Sequence, residues 1–288
     1  FYVTKGAGEF RVAARDGGPS ETARLRVVDP QGRVAFERDG AWNGEPHAVS
    51  VPAGATLDVP GVSPYVTSNA DFYRIDTALS VPQLEAANWR LSVSGLVDRP
   101  FELSYADLLD MDTVEVPVTL MCVSNQVGGE LVGNAVWQGV PLTDLLDRAG
   151  PHADAAQVVG RSVDGFTAGF PLADALDGRT ALVAFGMNGE PLPAEHGYPA
   201  RLVVAGLYGY VSATKWLSEI ELTTWDAFDG YWVPRGWSKR GPVKTQSRID
   251  VPGREVAAGR VAIAGVAWAP GRGIERVEVQ IDEGDWQE

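Results

Sequence analysis

With 288 residues, 45% of them hydrophobic and 22% charged, the chain has enough apolar material for one large domain or two to three modest ones, which excludes wholesale disorder. Its 24 Lys and Arg against 38 Asp and Glu give a formal net charge of −14, which argues against a general binder of nucleic acid or anionic membranes. No uncharged apolar run approaches the ~18 residues needed to span a bilayer, and no signal peptide is recognisable. The single cysteine, Cys122, excludes an internal disulfide framework and a zinc site built from cysteines alone. Beginning at Phe1 rather than Met, the chain reads as a processed or trimmed piece.

Residues 1–60 read as a small β-rich accessory segment. Leu25, Val27 and Phe36 sit in short apolar runs broken by turns at Asp29-Pro30-Gln31-Gly32 and Asp39-Gly40. Val49, Val51, Leu57 and Val59 follow around Pro52-Ala53-Gly54.

Residues 61–250 form the larger unit. Residues 89–97 alternate like a half-buried strand. Ser104 with Asp107 three residues on predicts a helix start. Residues 114–123 read as a strand reaching Cys122, and 141–150 as a short helix closed by Gly150. Residues 166–176 read as strand then helix, and 181–185 as a strand entering an Asn188-Gly189 hairpin. Residues 201–205 and 218–223 are further strands. Strands and short helices mix without a regular βαβ repeat, so the fold class is α+β.

Residues 251–288 change character. Residues 261–268 and 274–281 read as strands, and Val277, Val279 and Ile281 alternate with Glu278, Gln280 and Asp282 in the manner of an antiparallel sheet with one wet face. Residues 282–285 read as a turn. A β-sandwich needs roughly seven strands and ~100 residues, so only the start of one is expected.

Charge is unevenly spread. Residues 196–248 hold seven basic side chains (Arg201, Lys215, Arg235, Lys239, Arg240, Lys244, Arg248) against four acidic ones. Between Asp229 and Asp250 there are five basic residues and no acid. An acidic chain that concentrates positive charge in one segment places it either on a solvated face or against an anionic ligand.

Cys122 is the first chemical candidate. A lone cysteine is more often a small buried hydrophobe. Here Met121-Cys122-Val123-Ser124-Asn125-Gln126 passes from an apolar strand into a polar loop, a position that commonly lines a site. A thiolate there attacks a substrate or ligates a soft metal. The histidines are His47, His152 and His196. A Cys122/His196 hydrolase pair carries no sequence signature, and a metal at Cys122 would need most of its ligands from elsewhere, such as a cofactor. After Arg201, Gly206 and Gly209 allow close backbone approach, and Ser212, Thr214 and Lys215 supply hydroxyls, an ammonium and backbone N–H groups, the combination a phosphate site requires. The order is not that of a Walker loop.

These residues carry a resemblance. Residues 66–74, 119–125 around Cys122, 133–142 (Gly133-Asn134-Ala135-Val136-Trp137-Gln138-Gly139-Val140-Pro141-Leu142), 196–204 and Lys215-Trp216-Leu217 occur in the order found in the sulfite oxidase family of molybdopterin enzymes. The resemblance covers about residues 61–288 and implies a mixed α/β molybdopterin-binding domain followed by the start of an immunoglobulin-like dimerisation domain. By that resemblance Cys122 matches the thiolate that ligates molybdenum beside one molybdopterin. Asn69, Phe72, Tyr73 and Arg74 match the segment bordering the pterin, and Ser162 a hydroxyl near the cofactor. His196 matches a pterin contact and Arg201 the phosphate-binding arginine, while Ser212, Thr214 and Lys215 fall where the phosphate binds. Tyr231 is the best match to the tyrosine facing the metal's open side.

One departure stands out. Where sulfite oxidases carry an arginine after the asparagine of the cysteine loop, this chain has Gln126, and residues 116–143 contain no Lys or Arg. The expected chemistry is two-electron oxygen-atom transfer on a small molecule, an oxyanion as in sulfite oxidases or a sulfoxide as in the sulfoxide-reductase branch. The basic stretch beyond Tyr231, with Arg235 as the leading contact, is expected to wall the substrate entrance. No haem is expected in the chain, so a separate electron-transfer partner is implied, and the C-terminal domain implies a homodimer. An extracytoplasmic or membrane-attached position on a bacterial membrane is favoured over a cytoplasmic one.

Overall fold

The computed structural model describes residues 25–28, 34–38, 59–126, 128–252 and 262–270. Residues Val66–Val243 form one compact unit, and residues 1–65 and 244–288 are grouped in a second. In the second unit β1 (Leu25–Val28) pairs antiparallel with β2 (Val34–Arg38). The expectations for residues 29–32, 39–40, 49–57 and 274–285 lie outside the described residues.

The larger unit begins with an irregular stretch and a 3-10 turn, then β3 (Arg90–Gly95), which buries Leu91 and Val93 and turns Ser92 and Ser94 outward, the period-two pattern its sequence predicts. After β4 (Phe101–Ser104), helix α1 (Tyr105–Leu109) opens with a capping box. The Ser104 hydroxyl accepts from the Asp107 N–H at 3.2 Å, and the Asp107 carboxylate accepts from the Ser104 N–H at 2.8 Å. Strand β5 (Val114–Met121) ends one residue before Cys122. Strand β6 (Val132–Pro141) leads into α2 (Leu142–Ala149), whose Leu142, Leu145, Leu146 and Ala149 form one buried stripe. Then follow β7 (Gln157–Ser162), β8 (Thr167–Pro171), α3 (Leu172–Leu176) and β9 (Ala181–Met187). Asn188 and Gly189, at φ 53° and 78°, make the predicted hairpin to β10 (Glu190–Pro191). The unit closes with β11 (Arg201–Val204), α4 (Gly209–Ser212) and β12 (Leu217–Thr223). Beyond it, β13 (Gln246–Val251) pairs antiparallel with β14 (Ala264–Trp268).

Two five-stranded sheets organise the larger unit. One runs β10-β9-β6-β5, with β11 also paired to β9; the other runs β4-β3-β12-β7-β8. Strand β12 lies parallel to β3 and antiparallel to β7. The result is the α+β class expected. Strands β9 and β11 of the first sheet are buried at every residue, which accounts for their nearly continuous apolar runs. In β9, Val183 and Phe185 enter the main core with α2 and the second sheet, whereas Leu182, Ala184 and Met187 enter a second core. In β11, Leu202 and Val204 face the first core and Val203 the second. Among the described residues no helix is long and apolar enough to cross a membrane.

The second core is capped by Phe72, which is buried edge-on to Trp137 at 5.6 Å between ring centroids. It can lie there because β6 carries Gly133, where a Cβ would meet the Phe72 ring at 2.6 Å. Gly133→Ala should therefore push Phe72 outward and destabilise the unit by about 1–3 kcal/mol, read as a lower midpoint in thermal or urea unfolding.

Candidate active site

The site lies where strands of both sheets end. Strand β5 delivers Cys122 and β7 delivers Ser162, while β11 begins with Arg201 and β12 is preceded by Lys215. Cys122, Ser162, His196, Arg201 and Lys215 line one cavity of about 250 Å³, together with Phe72 and Tyr73.

Cys122 is half-buried, with a free thiol. Its N–H donates to the Leu131 carbonyl at 2.9 Å, and its carbonyl accepts from the Asn125 N–H at 3.0 Å. The Asn125 side chain accepts from the Leu131 N–H at 2.8 Å, so Asn125 closes the loop that presents the thiol. Among the described residues no hydrogen bond joins Cys122 to His196, and no group of three His, Cys, Asp or Glu side chains forms a metal site.

Arg201 is 5% exposed and is the site's most demanding charge. Its guanidinium donates to the His196 carbonyl at 3.0 Å and lies 5.0 Å over the Trp137 ring. Among the described residues no carboxylate pairs with it. Burial lowers its pKa to about 10, against the pull of Tyr73. A buried cation without an anion costs several kcal/mol, a cost that a negative group entering the cavity would offset. Burial also pushes the Tyr73 hydroxyl well above its ordinary value, opposed by Arg201 and helped by Cys122, so it keeps its proton.

Lys215 is buried and donates to Asp76 at 2.6 Å and to the Glu195 carbonyl at 3.0 Å. Asp76, on the irregular stretch before β3, also accepts from Arg74 at 2.8 Å. Two local features aim the lysine. Trp216 is left-handed at φ 48°, held by its indole N–H on the Ala194 carbonyl at 2.7 Å. Gly197, at φ 111°, lets the 194–197 turn approach so closely that a Cβ would meet the Lys215 backbone at 3.0 Å. Burial lowers the Lys215 pKa to about 8, opposed chiefly by its hydrogen bond to Asp76. His196 is buried, with Nε2 2.9 Å from the Asn69 carbonyl and its ring edge-on to Phe72 at 5.5 Å. Burial lowers its pKa below the ordinary value, so it is neutral near pH 7 and Nε2 carries the proton donated to Asn69.

The remaining expected site residues lie outside the lining. The Asn69 amide donates to the Met187 carbonyl at 3.3 Å, and Arg74 is exposed beside Asp76. The Ser212 hydroxyl donates back to Tyr208 at 3.1 Å, and the Thr214 hydroxyl to Gly160 at 3.4 Å. Tyr231 packs on Phe166 at 5.8 Å and on Trp232 at 5.2 Å, with Arg235 stacked on it. Lining residues not singled out in the sequence include Asp76, Asp164, Trp232 and Trp237. Asp76 follows Arg74 by two residues and Trp232 adjoins Tyr231, so both lay beside residues already marked.

The chain is similar to known proteins. Residues 78–232 match the model of the oxidoreductase molybdopterin binding domain. The uncharacterized oxidoreductase YuiH of Bacillus subtilis is 39% identical over 162 residues, covering 56% of this chain and 78% of that one. Mouse mitochondrial sulfite oxidase is 32% identical over 78% of this chain but only 49% of its own length, so the chain spans about half of that relative. Arabidopsis thaliana sulfite oxidase is 30% identical over 94% of this chain and 78% of its own. The crystal structure of the sulfane dehydrogenase SoxCD from Paracoccus pantotrophus superposes with a TM-score of 0.52 at 25% identity, over 60% of this chain and 50% of that one. The unit is thus a molybdopterin-binding oxidoreductase domain. The chain belongs to the sulfite oxidase family of molybdenum enzymes.

The residues fit such a group: an unpaired buried arginine and a second buried cation suit its phosphate, and a thiol shares their cavity. Lys215 loses its proton as pH rises through about 8, with Asp76, Arg74 and Arg201 the charged groups facing it. Phosphate-type anions should accordingly bind the cofactor-free full chain more weakly at pH 9 than at pH 7. Lys215→Met should flatten that profile in calorimetric titrations with pyrophosphate.

Proposed function

We propose that the cavity holds a molybdenum–molybdopterin group with Cys122 Sγ as the protein's one metal ligand, and that the enzyme carries out two-electron oxygen-atom transfer on a small substrate. The observation that carries this reading is the convergence of a half-buried free thiol and an unpaired buried guanidinium in one cavity. Bound there, the group would supply the two-electron exchange at its metal.

The chain's own residues do the rest. Arg201 and Lys215 bind the phosphate through charge-assisted hydrogen bonds. His196 holds one face of the site through its Asn69 bond, and Phe72 keeps water from the cavity's apolar side. Tyr73 retains its hydroxyl proton and offers a donor in the cavity. In balanced form, sulfite plus water gives sulfate, two protons and two electrons; in the opposite sense, a sulfoxide plus two protons and two electrons gives a thioether and water. Either direction needs an electron-transfer partner for the two electrons.

Cys122→Ser should abolish turnover, because a hydroxyl is a hard replacement for a soft thiolate, while pterin content stays near wild type. Activity retained in that variant would remove Cys122 from the metal. Arg201→Ala with Lys215→Ala should instead lower pterin and molybdenum content, measured on the purified chain. Full loading of the double variant would place the phosphate elsewhere.

A further inference from the structure

The stretch densest in positive charge shows aromatic rings, not cations, to the cavity. Trp232 and Trp237 line it, whereas Arg235, Lys239 and Arg240 do not. Each of those cations is engaged locally. The Arg235 guanidinium lies 3.7 Å over the Tyr231 ring and donates to the Tyr231 carbonyl at 2.5 Å. Lys239 donates to the Phe228 carbonyl at 2.6 Å, to Asp229 at 2.8 Å and to the Trp225 carbonyl. Arg240 sits 5.0 Å over the Trp225 ring.

The rings form a connected wall. Tyr210 lies 5.6 Å from Trp237, and Trp237 lies 6.0 Å from Trp232 at 70° between planes. The Tyr210 hydroxyl donates to the Ser238 carbonyl at 2.8 Å, which leaves its ring to the cavity. Phe166 extends the lining. Such a surface is apolar, and its ring faces are electron-rich.

The charge inventory of the lining points the same way. Its lysine and arginine side chains are Lys215 and Arg201, and its carboxylates are Asp76 and Asp164. Asp76 already shares Lys215. With a phosphate on Arg201 and Lys215, no third lining cation is left for a second anion. Asp164 opposes one further: Oδ1 accepts from the Phe166 N–H at 3.0 Å, but Oδ2 is buried without a hydrogen-bond partner. An inorganic oxyanion entering here would lose its water and meet π faces and a carboxylate. An uncharged molecule with apolar groups would lose little water and cover ring surface.

We infer that the site selects an uncharged organic substrate whose reacting atom carries apolar carbon groups seated on Trp232 and Trp237, and that it disfavours inorganic oxyanions. This rests on the proposed function, since it takes the same cavity as the reactive pocket. Trp232 and Trp237 are then specificity-determining residues, and the basic side chains around Tyr231 support the wall from outside it.

The test uses the purified full chain with its molybdenum and pterin content measured. Methyl phenyl sulfoxide and sulfite are titrated separately by calorimetry, and kcat/KM is measured with reduced viologen as electron donor for the first and ferricyanide as acceptor for the second. The sulfoxide should bind at least about tenfold more tightly than sulfite. Trp232→Ala and Trp237→Ala should each weaken sulfoxide binding by about tenfold and leave sulfite within about twofold, with the Phe replacements close to wild type. Tighter binding of sulfite, or Trp variants that weaken both ligands equally or neither, overturns the inference. A protein loaded with molybdenum that prefers sulfite overturns the inference and leaves the proposed function standing. A protein that never takes up molybdenum or pterin overturns the proposed function, and the sulfoxide titrations of wild type and Trp variants still decide the character of the wall.

Discussion

The constraint on which the site depends is the burial of Arg201. It opens a strand whose next three residues are consumed by the two cores, so its guanidinium is left at the sheet's end over the Trp137 ring. No described carboxylate neutralises it, and an uncompensated charge in such surroundings is tolerated only where something else repays several kcal/mol. The neighbouring architecture makes sense against that cost. The 194–197 turn gives Arg201 a carbonyl, the Gly197 approach and the left-handed Trp216 bring Lys215 alongside, and Phe72 over Gly133 closes the apolar flank. Each device spends local conformational freedom to hold positive charge away from water, which is what an enclosed anion requires.

The two kinds of chemistry reach the cavity by different routes. The cations come from the starts of β11 and β12, the thiol from the end of β5 and Ser162 from the end of β7. Because β7 and β12 are antiparallel neighbours, the end of one and the start of the other meet by pairing alone. Cys122 needs more: its loop is fixed by Asn125, whose side chain spans to Leu131. The thiol and Arg201 thus come from one sheet and Lys215 from the other, and the same compact unit carries all three.

Much of this was legible in the residues, for reasons that can be named. The Ser104/Asp107 capping box, the Asn188-Gly189 hairpin and the apolar stripe of α2 are local, and local chemistry decides them. Cys122 was marked by its strand end, Arg201 and Lys215 as a possible anion cradle, and His196 by residue type and by the family resemblance, and all four line one cavity. Ser212 and Thr214 were marked as hydroxyls, yet the backbone takes both: one bonds back to Tyr208 within its own short helix, the other to Gly160 across the sheet. Composition does not say whether a hydroxyl is already spent. Asp76 stayed hidden because its partner Lys215 lies 139 residues away. Strand β6 lacked a clear alternation because Gly133, Asn134, Gln138 and Gly139 interrupt it, although it is the longest strand of the unit.

The same distinction governs charge. A net count along the chain sums side chains that never act on the same point. The run from Asp229 to Asp250 holds five basic residues and no acid, but stacking on Tyr231 and Trp225 and bonding to backbone carbonyls hold Arg235, Lys239 and Arg240 outside the cavity lining. The two buried cations are few, but they act in a medium of low polarisability, where a charge at a given distance counts several times more than at the surface. The potential inside the cavity therefore follows Arg201, Lys215, Asp76 and Asp164 rather than the −14 of the whole chain or the positive stretch within it. What the basic stretch does supply is contact with the aromatic wall from behind: Arg235, expected to face the substrate, stacks on Tyr231, which packs on both Phe166 and Trp232 of the lining.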